Sequence, residues 1–218
     1  MIKTKKELRF YIMADRIMNG YEPTRNFKEV LFRLLPIMRL DRVIDCLFLM
    51  REVEYFNNKG RLTAFDKVFK SYYSRCYNRL SQKLGFSIGY NVFGYGLVVP
   101  HYGTIVVNSA TRAGNYCVLM TSTCIGGKGK VIGDGLYLSA GAKIMGGGVK
   151  LGNGVSIAAN SLVNRSFGDN ILLTGMPADV KKTNYPMWYD RDGEMYVNRV
   201  KRCEELKKQM KIELLPES

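Results

Sequence analysis

His101 is the only histidine in the 218-residue sequence, so it is the one side chain whose ordinary titration range suits a general base near neutral pH. It lies in Pro100-His101-Tyr102-Gly103-Thr104-Ile105-Val106-Val107. The other reactive side chains point to less. Cys46, Cys76, Cys117, Cys124 and Cys203 are odd in number and form neither a CxxC pair nor a Cys/His cluster. That pattern argues against a disulfide framework or a zinc site and favours a reduced, cytoplasmic setting. No metal is expected. Lys and Arg number 33 against 19 Asp and Glu, a net charge of +14, which favours anionic partners: nucleotide phosphates, nucleic acid or an acidic membrane surface.

The elements that must position His101 change character near Gly85. Residues 1–84 read as a helical N-terminal domain, rich in Leu, Met, Arg, Lys and Tyr, with turns at Gly20 and Gly60. Val30, Leu31, Leu34 and Leu35 recur at helical spacing up to a break at Pro36, and Val43, Leu47 and Met50 repeat the pattern. A third stripe, Phe65, Val68, Phe69, Tyr72, Tyr73, Cys76 and Leu80, is backed by Lys67, Lys70, Arg75 and Arg79. This basic amphipathic face reads as the solvated side of a packed helix or as a contact with acidic lipid headgroups. Nucleic acid is not expected, because no base-reading motif accompanies the aromatics.

From 85 to 182 glycine becomes frequent and aliphatic residues fall at every sixth position: Phe93 and Val99; Val107, Ala113, Leu119 and Ile125; Ile132, Leu138 and Ile144; Leu151, Ile157 and Val163. One inward aliphatic per hexad, with small residues between, predicts a triangular parallel β-helix of roughly four coils, three hexads to a coil. A site must form where a coil bulges. The beat breaks at Val99 to Val107, at Ile125 to Ile132 and at Ile144 to Leu151; the first and widest break contains His101. Residues 183–218 read as an extension, partly helical through Val197, Val200, Cys203 and Leu206, with Trp188 either packed or stacked on a ligand ring.

Residues 85–182 resemble the hexapeptide-repeat acyltransferases, and among them the serine acetyltransferase branch. The carrying segments are His101 to Val107, Ile125-Gly126-Gly127, Ser139-Ala140-Gly141-Ala142-Lys143-Ile144 and Thr174-Gly175-Met176-Pro177-Ala178. The approach from Phe86-Ser87-Ile88 to Phe93-Gly94-Tyr95-Gly96 is similar to shorter members that O-acetylate sugars in capsular or exopolysaccharide synthesis. The resemblance implies an α+β fold: a left-handed parallel β-helix with an α-helical N-terminal part and a C-terminal helix. It implies acetyl-CoA as co-substrate and His101 as the base that deprotonates an acceptor hydroxyl and later protonates the leaving sulfur. Backbone N–H groups of Gly126 and Gly127 would stabilise the oxyanion. Ala140 and Ala159 would leave room for the CoA arm, and Lys143, Lys181 and Lys182 would meet its phosphates. The family further implies a homotrimer, or a dimer of trimers, with each site between subunits.

Two departures bear on the acceptor. The family places an aspartate before the histidine, and this sequence has Pro100; where the family reads Asp-Ile-His-Pro, it has Phe86-Ser87-Ile88-Gly89. A backbone carbonyl is then expected to fix the imidazole tautomer. The turn after Gly127 passes through Lys128-Gly129-Lys130 without the family's longer insertion bearing an Arg-His pair. That loss removes a clamp for an amino-acid carboxylate. The reading is therefore O-acetylation of a saccharide hydroxyl, with serine O-acetylation or a non-catalytic scaffold as alternatives. Lys3, Lys5 and Lys6 lead into Glu7 and Arg9 rather than an apolar run, so neither secretion nor membrane insertion is expected. The expected location is the cytoplasm, with possible peripheral contact at the membrane.

Overall fold

A computed structural model describes residues 1–24 and 42–213. The positions Val30, Leu31, Leu34, Leu35 and Pro36 lie outside the described residues. Helix α1 (Lys5–Met18) is followed by α2 (Arg42–Asn58) and α3 (Ala64–Leu84). The strands begin with β1 (Phe86–Ile88), β2 (Ile105–Val107), β3 (Arg112–Ala113), β4 (Val118–Leu119) and β5 (Thr123–Ile125). Next come β6 (Val131–Ile132), β7 (Tyr137–Leu138), β8 (Lys143–Ile144) and β9 (Lys150–Leu151). The last are β10 (Ser156–Ile157), β11 (Leu162–Val163), β12 (Leu172–Gly175) and β13 (Ala178–Lys182), followed by α4 (Trp188–Arg191) and α5 (Glu194–Gln209).

The strands form a parallel β-solenoid of about five turns. Face A is β1-β2-β5-β8-β11, face B is β3-β6-β9, and face C is β4-β7-β10-β12 with β13 antiparallel at its end. The sixfold beat is the inward column of every face: Ile125, Leu138, Ile144, Ile157 and Val163 are fully buried. Each contributes ~2 kcal/mol by removal from water. The roughly four coils expected become five because the solenoid extends at both ends. Phe86–Ile88 pairs with β2 as a first strand of face A, and Phe167 bridges to Leu151 before Leu173 closes the last coil. The step from Val163 to Phe167 is four residues instead of six, so the last coil falls out of the hexad count.

One corner column holds the coils in register. Asn115 N–H donates to Asp134 Oδ1 (2.7 Å), Asp134 N–H to Asn153 Oδ1 (2.9 Å), and Asn153 N–H to Asp169 Oδ1 (2.6 Å). The residue before each of the last three acceptors' donors must be small: a Cβ on Gly114, Gly133 or Gly152 would lie 2.1–2.4 Å from the acceptor oxygen in the next coil. Glycine is required there by close approach rather than by flexibility.

Helix α1 starts at a Thr4–Glu7 capping box, α3 at a Thr63–Asp66 box, and α3 stops at Gly85 in the left-handed region (φ 80°). The helices join the solenoid through a buried ion cluster. Arg51 in α2 donates to Asp15 (2.8 Å), Glu54 (2.9 Å) and the carbonyls of Phe93 (2.9 Å) and Gly94 (2.6 Å). Asp15 in turn accepts from Leu97 N–H (2.9 Å) and Glu54 from Asn91 N–H (2.8 Å). As the spacing predicts, Val43, Leu47 and Met50 are buried. The α3 stripe divides: Tyr73, Cys76 and Leu80 pack against the core, whereas Phe65, Val68, Phe69 and Tyr72 face solvent. Trp188 is buried, donates from its indole N–H to Tyr116 O (2.7 Å) and meets Tyr196 edge-on. It is therefore a packing residue and not a stacking platform.

Among the described residues no helix is long and apolar enough to cross a membrane.

Candidate active site

His101 stands at the corner where face C turns into face A, in the loop that carries two residues more than a regular hexad. Its side chain is exposed, as is that of Tyr102. The loop is held on both sides. Gly103 N–H donates to Leu84 O (2.9 Å) and Ile105 N–H to Gly85 O (3.0 Å), so the end of α3 fixes its exit. The entry is fixed by α1: Asn19 donates from its amide to Leu97 O (2.8 Å) and accepts from Val99 N–H (3.2 Å). An asparagine side chain here pairs with the chain as a neighbouring strand would, two residues before His101.

No carboxylate and no carbonyl among the described residues accepts a hydrogen bond from the imidazole. The backbone carbonyl expected to fix the tautomer is absent from this arrangement, in which the His101 side chain is exposed. The chain also lacks the two acids of the family pattern, with Pro100 before the histidine and Phe86-Ser87-Ile88-Gly89 upstream.

Below His101 the same edge carries Tyr102, Thr121, Ala140 and Ala159, each 19 residues after the last. The hydrogen bonds Gly141 N–H to Thr121 O (3.0 Å) and Asn160 N–H to Ala140 O (3.0 Å) confirm that these corners stack. At ~4.8 Å between coils, Ala140 and Ala159 lie about 10 and 14 Å down the edge from Tyr102. Both are exposed and present only a methyl group. Lys143, exposed on β8, leans to this edge with its ammonium 3.5 Å from Gly141 O. His101, Ala140, Ala159 and Lys143 are thus brought to one open strip.

Gly126 and Gly127 are not on that strip. They occupy the corner between faces A and B, one whole face from His101, on the order of 20 Å along extended chain. Gly126 N–H is also occupied, donating to Ile144 O (2.9 Å). Of the pair, Gly127 (φ 81°) is the one whose N–H makes no backbone bond among the described residues. Lys181 and Lys182 are exposed on β13, on face C beyond the last coil, with the Lys182 ammonium 5.8 Å from the Tyr185 ring centre. They are likewise apart from the Ala140–Ala159 edge.

The glycine corner contains a feature the sequence reading missed. Lys130 is buried, and its ammonium donates to Gly126 O (2.7 Å), Lys128 O (2.5 Å) and Gly146 O (2.5 Å). It ties the second break of the beat to the third, one coil on. Burial pulls its pKa below the ordinary lysine value, and the three carbonyls oppose that pull by favouring the charged form. Because Gly126 C=O and Gly127 N–H belong to one peptide unit, a cation on the oxygen polarises the N–H outward. Among the described residues no group of three or more His, Cys, Asp or Glu is placed to hold a metal ion.

The comparisons with known proteins meet this geometry. The chain is similar to serine acetyltransferases. It is 29% identical to the enzyme of Synechococcus elongatus over 94 residues, 40% of this chain and 38% of that one. It is 29% identical over 112 residues to that of Buchnera aphidicola (47% and 40%), and over 96 residues to that of Staphylococcus aureus (41% and 45%). The chain thus spans less than half the length of these relatives. No protein-family model matches it. Among solved structures, a serine acetyltransferase in complex with CoA superposes with a TM-score of 0.54 at 20% identity, covering 79% of this chain and 67% of that one. The enzyme from Brucella abortus gives 0.54 at 18% (80% and 68%), and that from Neisseria gonorrhoeae 0.52 at 15% (88% and 84%). At these identities the superpositions establish the fold, a helical region followed by the solenoid.

Proposed function

We propose that the chain transfers an acetyl group from acetyl-CoA to a hydroxyl, with His101 as general base. The observation that carries this is the position of the only imidazole at the head of an open edge lined by Ala140 and Ala159 with Lys143 beside it. The imidazole takes the acceptor proton as the hydroxyl oxygen attacks the thioester carbon, and returns it to the sulfur as the carbon–sulfur bond breaks. Lys143 meets a CoA phosphate as a point charge; Lys181 and Lys182, lying off the edge, are weaker candidates for the same role.

The separation of His101 from Gly127 supports a homotrimeric assembly, in which a neighbouring copy supplies Gly127 N–H to the reacting carbonyl oxygen. In that arrangement a monomer is inactive.

For the acceptor, the comparisons support serine over a saccharide, since the named relatives are serine acetyltransferases. A saccharide hydroxyl, as in surface polysaccharide synthesis, is the second reading. It is favoured by the short Gly126–Lys130 turn, whose Lys130 is buried on carbonyls instead of being free to hold a carboxylate. Release of free CoA thiol, followed with serine and with a panel of sugars, distinguishes the two. His101→Ala is expected to abolish release while leaving acetyl-CoA binding intact by calorimetry. Near-normal turnover in that variant would remove His101 from its role, and no acetyl-CoA binding by the unaltered protein would leave a scaffold.

A further inference from the structure

The apolar stripe of α3 is only half packed, and its N-terminal part faces solvent. Phe65, Val68, Phe69 and Tyr72 are 77%, 66%, 51% and 60% exposed. Their spacing of i, i+3, i+4 and i+7 places them on one line of the helix surface. Arg75 and Arg79, both exposed, continue that line toward the C-terminus. We propose that this face docks on an anionic lipid surface, the rings entering the headgroup boundary and the guanidinium groups meeting lipid phosphates.

Charge selects the occupant. Helix α3 carries Lys67, Lys70, Arg75, Arg79 and Lys83 against a single acid, Asp66. Asp66 is held by Lys59 (2.7 Å) and by the Thr63 cap, which leaves the cations uncompensated along the helix. Across the adjoining groove, Lys5 and Arg9 of α1 are exposed on the same side as Phe65 and Phe69. Pairing two copies through this face would set cation against cation. A negatively charged interface accommodates both parts of the line: aromatic rings favour the headgroup level, and basic residues gain from its surface potential. The four aromatic and aliphatic side chains lie 12 to 19 residues, about 18–28 Å of helix, before Leu84, the α3 residue that bonds to the His101 loop.

The test is co-sedimentation of the full chain with vesicles of phosphatidylglycerol in phosphatidylcholine, against phosphatidylcholine alone, at low and high salt. Binding is expected only to the anionic vesicles and is expected to weaken at high salt. Arg75→Gln/Arg79→Gln should weaken it about tenfold or more. Phe65→Ser/Phe69→Ser should reduce it at low salt too, with the circular dichroism and molecular mass of the free protein unchanged. The proposal is overturned by no binding to anionic vesicles, by equal binding to neutral ones, or by unaltered binding in both double variants. It is also overturned if the variants change the molecular mass of the free protein, which would make this face a contact between copies. Acetyl transfer is not read in any arm, so the outcome is independent of the acceptor.

Discussion

Replacing Arg51 by methionine tests what joins the helices to the solenoid. Arg51 is fully buried, and Asp15 and Glu54 are each 2% exposed. Methionine fills much of the volume but leaves two carboxylates and the carbonyls of Phe93 and Gly94 without their donor. Removing one partner from a buried ion pair costs about 3–5 kcal/mol. In a chain of this size that lowers Tm by roughly 10 °C. The loss should depend on pH. Burial raises the pKa of Asp15 even with Arg51 opposing it, and without Arg51 it rises further. A carboxyl with a raised folded-state pKa stabilises the fold below its unfolded pKa and loses that contribution as pH climbs through the folded value. The gap between variant and parent should therefore narrow from pH 8 to pH 5. Urea unfolding at both pH values measures it, with the triple variant Arg51→Met/Asp15→Asn/Glu54→Gln recovering part of the loss. A penalty under about 1 kcal/mol, or one equal at both pH values, would refute the reasoning.

Three further substitutions address other links. Asn19→Ala removes both bonds to the chain entering the His101 loop; it should cost about 1–2 kcal/mol and lower acetyl-transfer turnover more than KM, since misplacing a base by ~1 Å can cost ~100-fold. Lys130→Met strips the donor from Gly126, Lys128 and Gly146 carbonyls; about 2–4 kcal/mol of lost stability and faster exchange of the Gly126 amide, which donates to Ile144 O, are expected, and unchanged exchange would show that the cation does not hold the turn. Glu52, whose carboxyl burial raises to about 6 from 4.5, should oppose folding above that range. Stability falls as pH rises from 4.5 to 6 and stays lower above it, so Glu52→Gln should gain about 1 kcal/mol at pH 8, after allowance for its partial exposure, and nothing at pH 4.

What could be read in the sequence followed from periodicity. The inward column from Phe93 to Val163 is buried because one aliphatic per six residues is what a three-sided coil demands, and the break at His101 marks the corner that bulges. The first strand went uncounted because Phe86-Ser87-Ile88 precedes the beat, and the last coil because four residues replace six between Val163 and Phe167. A second signal was present but unused. Glycine followed by Asn or Asp recurs at 114–115, 133–134, 152–153 and 168–169, the written form of the corner ladder. Arg51, seven residues after Ile44 and four after Leu47 on the buried stripe of α2, also announced a buried pair, since a charge on such a face is tolerated only with partners.

The placement of the glycine turn could not be read in this way. Gly126-Gly127 lies in a break of the beat, as His101 does, and the resemblance put both in one reaction. Counting faces separates them: His101 precedes face A and Gly126 follows it, so one chain presents the two at opposite corners of the same side. A hexad count carries phase along the coil but does not state which corner of one copy meets which corner of another. On the reading proposed above, the two corners act on one substrate across an interface between copies. His101 in one copy and Gly127 in the next should then complement. Mixing inactive His101→Ala subunits with subunits whose Gly127 corner is disabled, for instance by Gly127→Val, is expected to restore part of the activity through mixed assemblies. A site built wholly within one chain would give none, and that result would return Gly126-Gly127 to a purely structural turn.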